Sequence, residues 1–125
     1  MKRPIIIKRI LITGDRNWND TPKMVAVLSQ HLHADRDIII HGDAKGADRM
    51  GADVAKKLGI PKNHIQAYPA DWGQYHRAAG PIRNRQMLTE GQPTLILAFH
   101  YHISESKGTK DMVKISLKAG LPIYL

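Results

Sequence analysis

Cysteine is absent from this sequence of 125 residues. Its absence excludes disulfides, thiolate metal sites and a cysteine nucleophile, and it fits a reducing cytosol, so we expect a cytoplasmic protein. Long apolar runs are absent as well, because none approaches the ~20 residues that a membrane span requires. The charged start Met1-Lys2-Arg3 leads into an apolar stretch that is too short for a signal peptide. We therefore expect no association with a membrane.

Familiar catalytic and metal-binding motifs are missing too. No serine lies in a Gly-x-Ser-x-Gly elbow, and the chain has no Walker lysine motif. Histidines form two close pairs, His31 with His33 and His100 with His102, but only Glu105 lies near the second pair. Because a zinc site needs three or four ligands, the sequence predicts no bound metal.

Acidic residues are few relative to basic ones. There are 19 Lys and Arg against 11 Asp and Glu, which gives a formal net charge of +8. This balance favours anionic partners such as nucleotides, phosphorylated metabolites or nucleic acid. Lys110, Lys114 and Lys118 recur four residues apart and could form a nucleic-acid face, although such a stripe is more commonly a solvated helix face. Nucleic acid is therefore a secondary candidate partner.

Five apolar runs alternate with four helical patterns. The runs cover residues 9–13, 37–41, 64–68, 94–99 and 121–125, and residues 74–79 predict an additional short helical turn. The first helical pattern opens with Thr21 as an N-cap before Pro22. Nearly continuous apolar strands bounded by helices indicate a parallel sheet that is covered on both faces. The sequence thus predicts one α/β domain at residues 9–125, with three layers and a mainly parallel five-stranded sheet, after a basic lead-in at residues 1–8.

Three glycine-containing loops follow the first, second and fourth predicted strands. In an open parallel sheet, ligands bind beyond the carboxyl ends of the strands, near a reversal of strand order. Glycine lets the backbone approach a phosphate, and the amides of a following helix N-terminus point towards it. The candidate ligand-binding residues of these loops are Gly14, Asp15, Arg16, Gly42, Asp43, Ala44, Lys45, Gly46, Asp48, Gly108, Thr109 and Asp111.

Individual side chains suggest how a nucleotide would be held. Arg16 and Arg83 could each supply a planar fork for a phosphate. Asp48 or Asp111 could accept a hydrogen bond from a ribose hydroxyl, or could simply favour the dipole of its own helix. Trp72 could stack on a base or a sugar, or could cover an edge of the core.

Five short motifs occur in an order that resembles a known superfamily. They are Gly14-Asp15-Arg16 with Trp18, residues 41–49, Pro69-Ala70-Asp71-Trp72, residues 79–87 and residues 108–112. Together they resemble the SLOG superfamily, the Rossmann-like group that includes the LOG-type phosphoribohydrolases and the Smf/DprA proteins. The likeness is greatest to its small YspA/YpsA-related members, some of which are carried by phages.

The resemblance implies a Rossmann-like fold that binds or senses a nucleotide-derived ligand, such as ADP-ribose, NAD or a mononucleotide. It also implies a homodimer or a higher homo-oligomer. By this likeness the Gly42–Gly46 loop and Gly108-Thr109 would hold phosphate, and Arg83 would lie in the pocket. Asp71 and Asn84 belong to the most distinctive motifs and are candidate ligand contacts as well.

Two departures from the superfamily pattern bear on activity. LOG-type hydrolases carry Pro-Gly-Gly-x-Gly-Thr-x-x-Glu, and the position of that catalytic Glu is Met112 here. Asp111 would point about 100° away around the helix, so we expect it to be a poor substitute. Asp15 replaces the small residue that often follows the first-strand glycine, and it would repel a phosphate unless Arg16 or Lys45 offset its charge.

These observations favour ligand binding or sensing over catalysis. The alternatives are a nucleotide N-glycosidic hydrolase that uses Asp111, Asp48 or Asp71, and single-stranded DNA binding of the DprA kind.

Overall fold

The computed structural model describes residues 6–101 and 107–124. Its strands are β1 (Arg9–Gly14), β2 (Ile38–His41), β3 (Ile65–Ala67), β4 (Leu95–Phe99) and β5 (Ile123–Tyr124). Its α-helices are α1 (Thr21–His31), α2 (Ala47–Lys57), α3 (Trp72–Tyr75), α4 (Ala79–Thr89) and α5 (Lys107–Lys118), with 3-10 turns at Lys62–His64 and His76–Ala78. The single turn α3 and the 3-10 turn after it occupy the region where the sequence predicts a short helical turn.

The five strands form one sheet in the order β3-β2-β1-β4-β5, and all four neighbouring pairs are parallel. The predicted fold class is therefore confirmed, and the sheet is parallel throughout the residues that the structure describes. The chain builds from β1 towards β3 and then crosses back to place β4 on the other side of β1. This reversal between β1 and β4 is the switch point at which such sheets bind ligands.

The two faces of the sheet carry separate apolar clusters because successive strand side chains point to opposite faces. Ile10 and Ile12 of β1 pack into a cluster with residues of α1 and α2. Leu11, between them, packs on the other face with Met87 of α4 and Met112 of α5. Helices therefore cover both faces, as predicted.

The first helix differs in its cap from the prediction. The side chain of Asp20 accepts a hydrogen bond from the amide of Lys23 at 3.1 Å, so Asp20 is the N-cap and Thr21 is the first helical residue. Asp20 suits this role better because its carboxylate carries a full negative charge at the positive end of the helix dipole. Pro22 then lies in the first turn, as predicted.

The predicted lead-in is fixed to the domain at its last residue. Lys8 donates its backbone amide to the buried Asp37 side chain at 3.1 Å, and its carbonyl accepts from Ile38 at 3.0 Å. Residues 1–5 of the lead-in lie outside the described residues, as do His102, Glu105 and most of the polar loop that is predicted between β4 and α5.

Candidate functional site

A cavity of about 790 Å³ opens at the carboxyl end of β1, beside the switch point. This volume falls within the roughly 300–1,000 Å³ of typical small-molecule sites. The walls come from the end of β1 and its following loop, the start of α2, the α3–α4 segment and the start of α5. The lining residues are Thr13, Gly14, Asp15, Arg16, Asn17, Ala44, Asp48, Trp72, Arg77, Gly80, Pro81, Arg83, Asn84, Lys107, Gly108, Thr109 and Asp111.

Most of the predicted site residues line this cavity, but five do not: Gly42, Asp43, Lys45, Gly46 and Asp71. Sequence reasoning missed six lining residues, namely Thr13, Asn17, Arg77, Gly80, Pro81 and Lys107. Five of the six directly adjoin predicted residues or lie inside a quoted motif. Arg77 is the exception, since it stands in the 3-10 turn before α4 and belongs to no motif.

Two of the glycines serve contacts between loops. A Cβ on Gly14 would lie 2.0 Å from the carbonyl oxygen of Phe99, and one on Gly46 would lie 2.4 Å from the carbonyl oxygen of Asp15. Gly46 also adopts a φ of 89°, which disfavours any other residue. The amide of Ala47, at the start of α2, donates to Asp15 at 3.0 Å. The β1 loop therefore occupies the place beside the helix start that the sequence assigned to a phosphate.

The backbone amides of the Gly42–Ala44 turn also have internal acceptors. Oδ2 of Asp48 accepts from the amides of Gly42 at 2.9 Å and Ala44 at 3.5 Å. The amide of Asp43 donates to Nδ1 of His41 at 3.0 Å. The turn is thus organised by protein groups, and Oδ2 of Asp48 is occupied by hydrogen bonds from the backbone.

Asp48 is an unusual carboxylate because it is only 5 % exposed. Burial raises its pKa to about 6, while Arg83 and the amides of Gly42 and Ala44 act in the opposite direction. Desolvation prevails because an ionised carboxylate loses its hydration in the interior.

Arg83 of α4 forms the floor of the cavity. Its Nη1 donates to the carbonyl of Gly42 at 2.6 Å, and its Nε donates to Oδ1 of Asn84 at 3.0 Å. A Cβ on Gly42 would lie 2.3 Å from Nη1, so glycine is required there to admit the guanidinium. Burial lowers the pKa of Arg83, and the nearby Asp48 opposes that change.

Asn84 connects α4 to the start of α5. Its Nδ2 donates to Oδ2 of Asp111 at 2.9 Å and to the carbonyl of Gly108 at 3.2 Å. Asp111 lines the cavity, whereas Met112 is fully buried in the core beneath α5. The candidate residue Asp111 therefore faces the cavity, because the phase of α5 turns position 111 to the cavity and position 112 to the sheet.

The side chain of Asp15 contacts the segment that follows β4. Its Oδ2 accepts from the backbone amide of Tyr101 at 2.9 Å. The Tyr101 ring stacks on Trp18 with centroids 4.8 Å apart, which fixes the segment after β4 against the β1 loop. The carboxylate thus fastens two loops of the cavity wall together.

Four cations face the cavity: Arg16, Arg77, Arg83 and Lys107. Within residues 6–101 and 107–124, none of them forms a salt bridge. The guanidinium carbon of Arg16 lies 5.7 Å from the centre of the Trp72 ring, which is a cation–π distance. The exposed Arg16, Arg77 and Lys107 are available to an anionic ligand. Arg83 is buried and already donates to Gly42 and Asn84.

The remaining candidates have other positions. Asp71 caps α3, since its Oδ1 accepts from the amide of Gln74 at 3.0 Å. Lys45 and Gly46 line a separate shallow depression, and Asp43 lines another. The described part of the chain contains no group of three His, Cys, Asp or Glu side chains that could hold a metal ion. It also contains no helix that is long and apolar enough to cross a membrane.

The sheet order defines a Rossmann-like α/β protein, and its switch point carries a cavity of the size of a small-molecule site. Residues 8–75 match the model of the YspA, cpYpsA-related SLOG family, YAcAr. The "Gene 61 protein" of Mycobacterium phage D29 is 32% identical to this chain, over 94% of each sequence. No solved structure matches the chain. The chain belongs to the YspA, cpYpsA-related SLOG family, and the resemblance seen in the sequence is confirmed.

Proposed function

We propose that the protein binds a nucleotide or a nucleotide-derived ligand in the cavity at the end of β1. One observation carries this proposal: four cations line the cavity at the switch point. Within the described residues, none of the four forms a salt bridge. Membership of a SLOG family agrees with a ligand of this class.

The charge balance of the cavity favours a ligand that has both phosphate and hydroxyl groups. Three carboxylates, Asp15, Asp48 and Asp111, line the same walls as the four cations. Each already accepts a hydrogen bond from the protein, which fixes the position of its carboxylate. Asp111 has a second oxygen for a ribose hydroxyl, while Lys107 and the start of α5 suit a phosphate.

Thermal unfolding in the presence of ADP-ribose, NAD and mononucleotides tests this proposal. We expect at least one of them to raise the melting temperature, because a ligand that binds only the folded state stabilises it. Lys107→Ala should weaken binding about tenfold, which corresponds to one charge-assisted hydrogen bond. Lys110→Ala is the matched control, since Lys110 is exposed on the same helix and does not line the cavity.

Variants of Arg83 and Gly46 would be poor choices for this test. Arg83 is buried and holds Gly42 and Asn84, and Gly46 has a positive φ against the β1 loop. Either substitution would disturb the fold, so a loss of binding would not report on contacts with the ligand alone. Absence of any shift across the panel would contradict the proposal.

N-glycosidic hydrolysis is a second candidate function, and the position of Asp111 favours it. The carboxylate faces the cavity and is oriented by Asn84, so it could stabilise the positive charge that develops on a ribosyl group as its base departs. Release of free base from a nucleoside monophosphate, measured by chromatography, should then disappear in Asp111→Asn. Intact nucleotide after long incubation with stoichiometric protein would exclude this activity.

Assembly, location and nucleic-acid binding stay predictions from the sequence. Sedimentation velocity distinguishes a homodimer from a monomer. Affinity for single-stranded DNA should fall steeply with salt if the charge of +8 serves that purpose. A protein that does not bind single strands at low salt has no DprA-like role.

A further inference from the structure

Trp72 is the one aromatic side chain among the described residues that line the cavity. It belongs to α3 at the rim and is 47 % exposed. Exposure of a large apolar ring beside a polar cavity has an energetic cost that a ligand would recover by covering it. We propose that Trp72 and Arg16 form a clamp for a planar base, so that the ligand is a nucleotide that retains its base rather than a sugar phosphate.

The two side chains can separate far enough to admit a base. The guanidinium carbon of Arg16 lies 5.7 Å from the centre of the Trp72 ring. A base between two planar groups needs roughly 7 Å, which is two van der Waals contacts of about 3.5 Å. Arg16 is exposed, so its long side chain can withdraw by the additional distance without disturbing the core. The base would then stack on the indole and beneath the guanidinium.

The indole lies beside the start of α4. A Cβ on Gly80 would meet Cη2 of Trp72 at 3.4 Å, which is an ordinary van der Waals contact, so the ring lies about one carbon atom away from that backbone. The Asp71 carboxylate caps the turn that carries the ring. Asp71 is therefore a positioning residue for Trp72, and it can act in this way without contacting the ligand.

The clamp lies in the same cavity as the groups that suit phosphate and ribose. Arg77 and the start of α5 line that cavity too, so one ligand can contact Trp72 with its base and cations with its phosphate. Stacking on an aromatic ring is tolerant of base identity because every base has a π face. The inference therefore specifies a nucleoside phosphate without specifying its base.

This inference rests on the proposed nucleotide site, and calorimetric titration can separate the two claims. The probes are ADP-ribose, the four common ribonucleoside 5′-monophosphates and, as a ligand without a base, ribose 5-phosphate. We expect Trp72→Ala to weaken binding of the nucleotides about 5- to 150-fold, and to leave ribose 5-phosphate unchanged. Trp72→Phe should restore most of the loss. Tyr75→Ala is the control, because Tyr75 is 42 % exposed on the same helical turn and does not line the cavity.

Fluorescence provides an independent signature. Trp18 is 4 % exposed and stacked on Tyr101, so a bound base should quench chiefly Trp72, and Trp72→Phe should abolish the quenching. Nucleotide binding that is unchanged in Trp72→Ala, or that is weakened equally with ribose 5-phosphate, would overturn the clamp and leave the proposed function standing. If the wild-type protein binds none of the probes, both claims fail.

Discussion

The buried carboxylate of Asp48 should make the stability of the fold depend on pH, and comparison with a variant separates this effect from that of other carboxylates. Its pKa rises from an ordinary value of 3.8 to about 6 in the folded protein, mainly through burial. Since one pKa unit corresponds to about 1.4 kcal/mol, the change amounts to about 3 kcal/mol. The side chain is 5 % exposed, so solvent screening reduces this figure little.

The sign of the effect follows from proton linkage. The folded state binds the proton of Asp48 more tightly than the unfolded state, so protonated Asp48 stabilises the fold below pH 4. That stabilisation is lost as the pH rises through about 6. In Asp48→Asn the titration is absent, while the amide oxygen can still accept from Gly42. The free energy of unfolding of the wild type relative to the variant should therefore decrease by roughly 2–2.5 kcal/mol between pH 4 and pH 7, since part of the full change already occurs below pH 4.

Urea denaturation of both proteins at pH 4, 5, 6 and 7 provides the comparison. Taking the difference between the proteins cancels the titration of all other carboxylates. Asp53→Asn controls for loss of one negative charge from α2, because Asp53 is exposed on that helix. A wild-type-minus-Asp48→Asn difference that stays constant over this pH range would refute the buried-carboxylate reasoning.

Three further substitutions test other contacts. Asp37→Ala should lower the free energy of unfolding by about 2–4 kcal/mol in urea denaturation, because this fully buried carboxylate accepts two backbone hydrogen bonds and a lysine ion pair; a loss below 1 kcal/mol would contradict that role. Gly42→Ala should cost about 1–3 kcal/mol because its methyl group would displace the Arg83 guanidinium, whereas Gly73→Ala, where a Cβ meets only an ordinary contact, should be tolerated; equal effects would disprove the steric argument. Asn84→Ala should increase amide hydrogen exchange in the first turn of α5, since it removes the bridge from α4, and unchanged exchange there would show that the bridge is unimportant.

The fold could be predicted because its signals are local. Strands such as Ile38–His41 are short, apolar and rich in β-branched residues, and the helices α2 and α5 show clear amphipathic spacing. The strand order could not be derived from these patterns. The family resemblance implied a Rossmann-like fold, and the order β3-β2-β1-β4-β5 is known from the structure.

The sequence predicted which loops form the cavity, but it did not predict which atoms of those loops contact each other. The glycines at positions 14, 42 and 46 signal close approach, and the sequence cannot say to what: a phosphate, another loop or the Arg83 side chain. The choice depends on partners far along the chain, since Arg83 is 41 residues from Gly42. The different surroundings of Asp111 and Met112 likewise depend on the phase of α5 in the folded protein, because neighbouring positions lie about 100° apart around a helix.

The most direct test of the nucleotide site is a two-dimensional NMR titration of ¹⁵N-labelled protein with ADP-ribose, NAD and AMP. The proposed function predicts saturable amide shift changes that cluster at residues 13–17, 72–84 and 107–111, which form the cavity walls. Changes that are absent with every ligand, or that are confined to the exposed lysines near the end of α5, would contradict it.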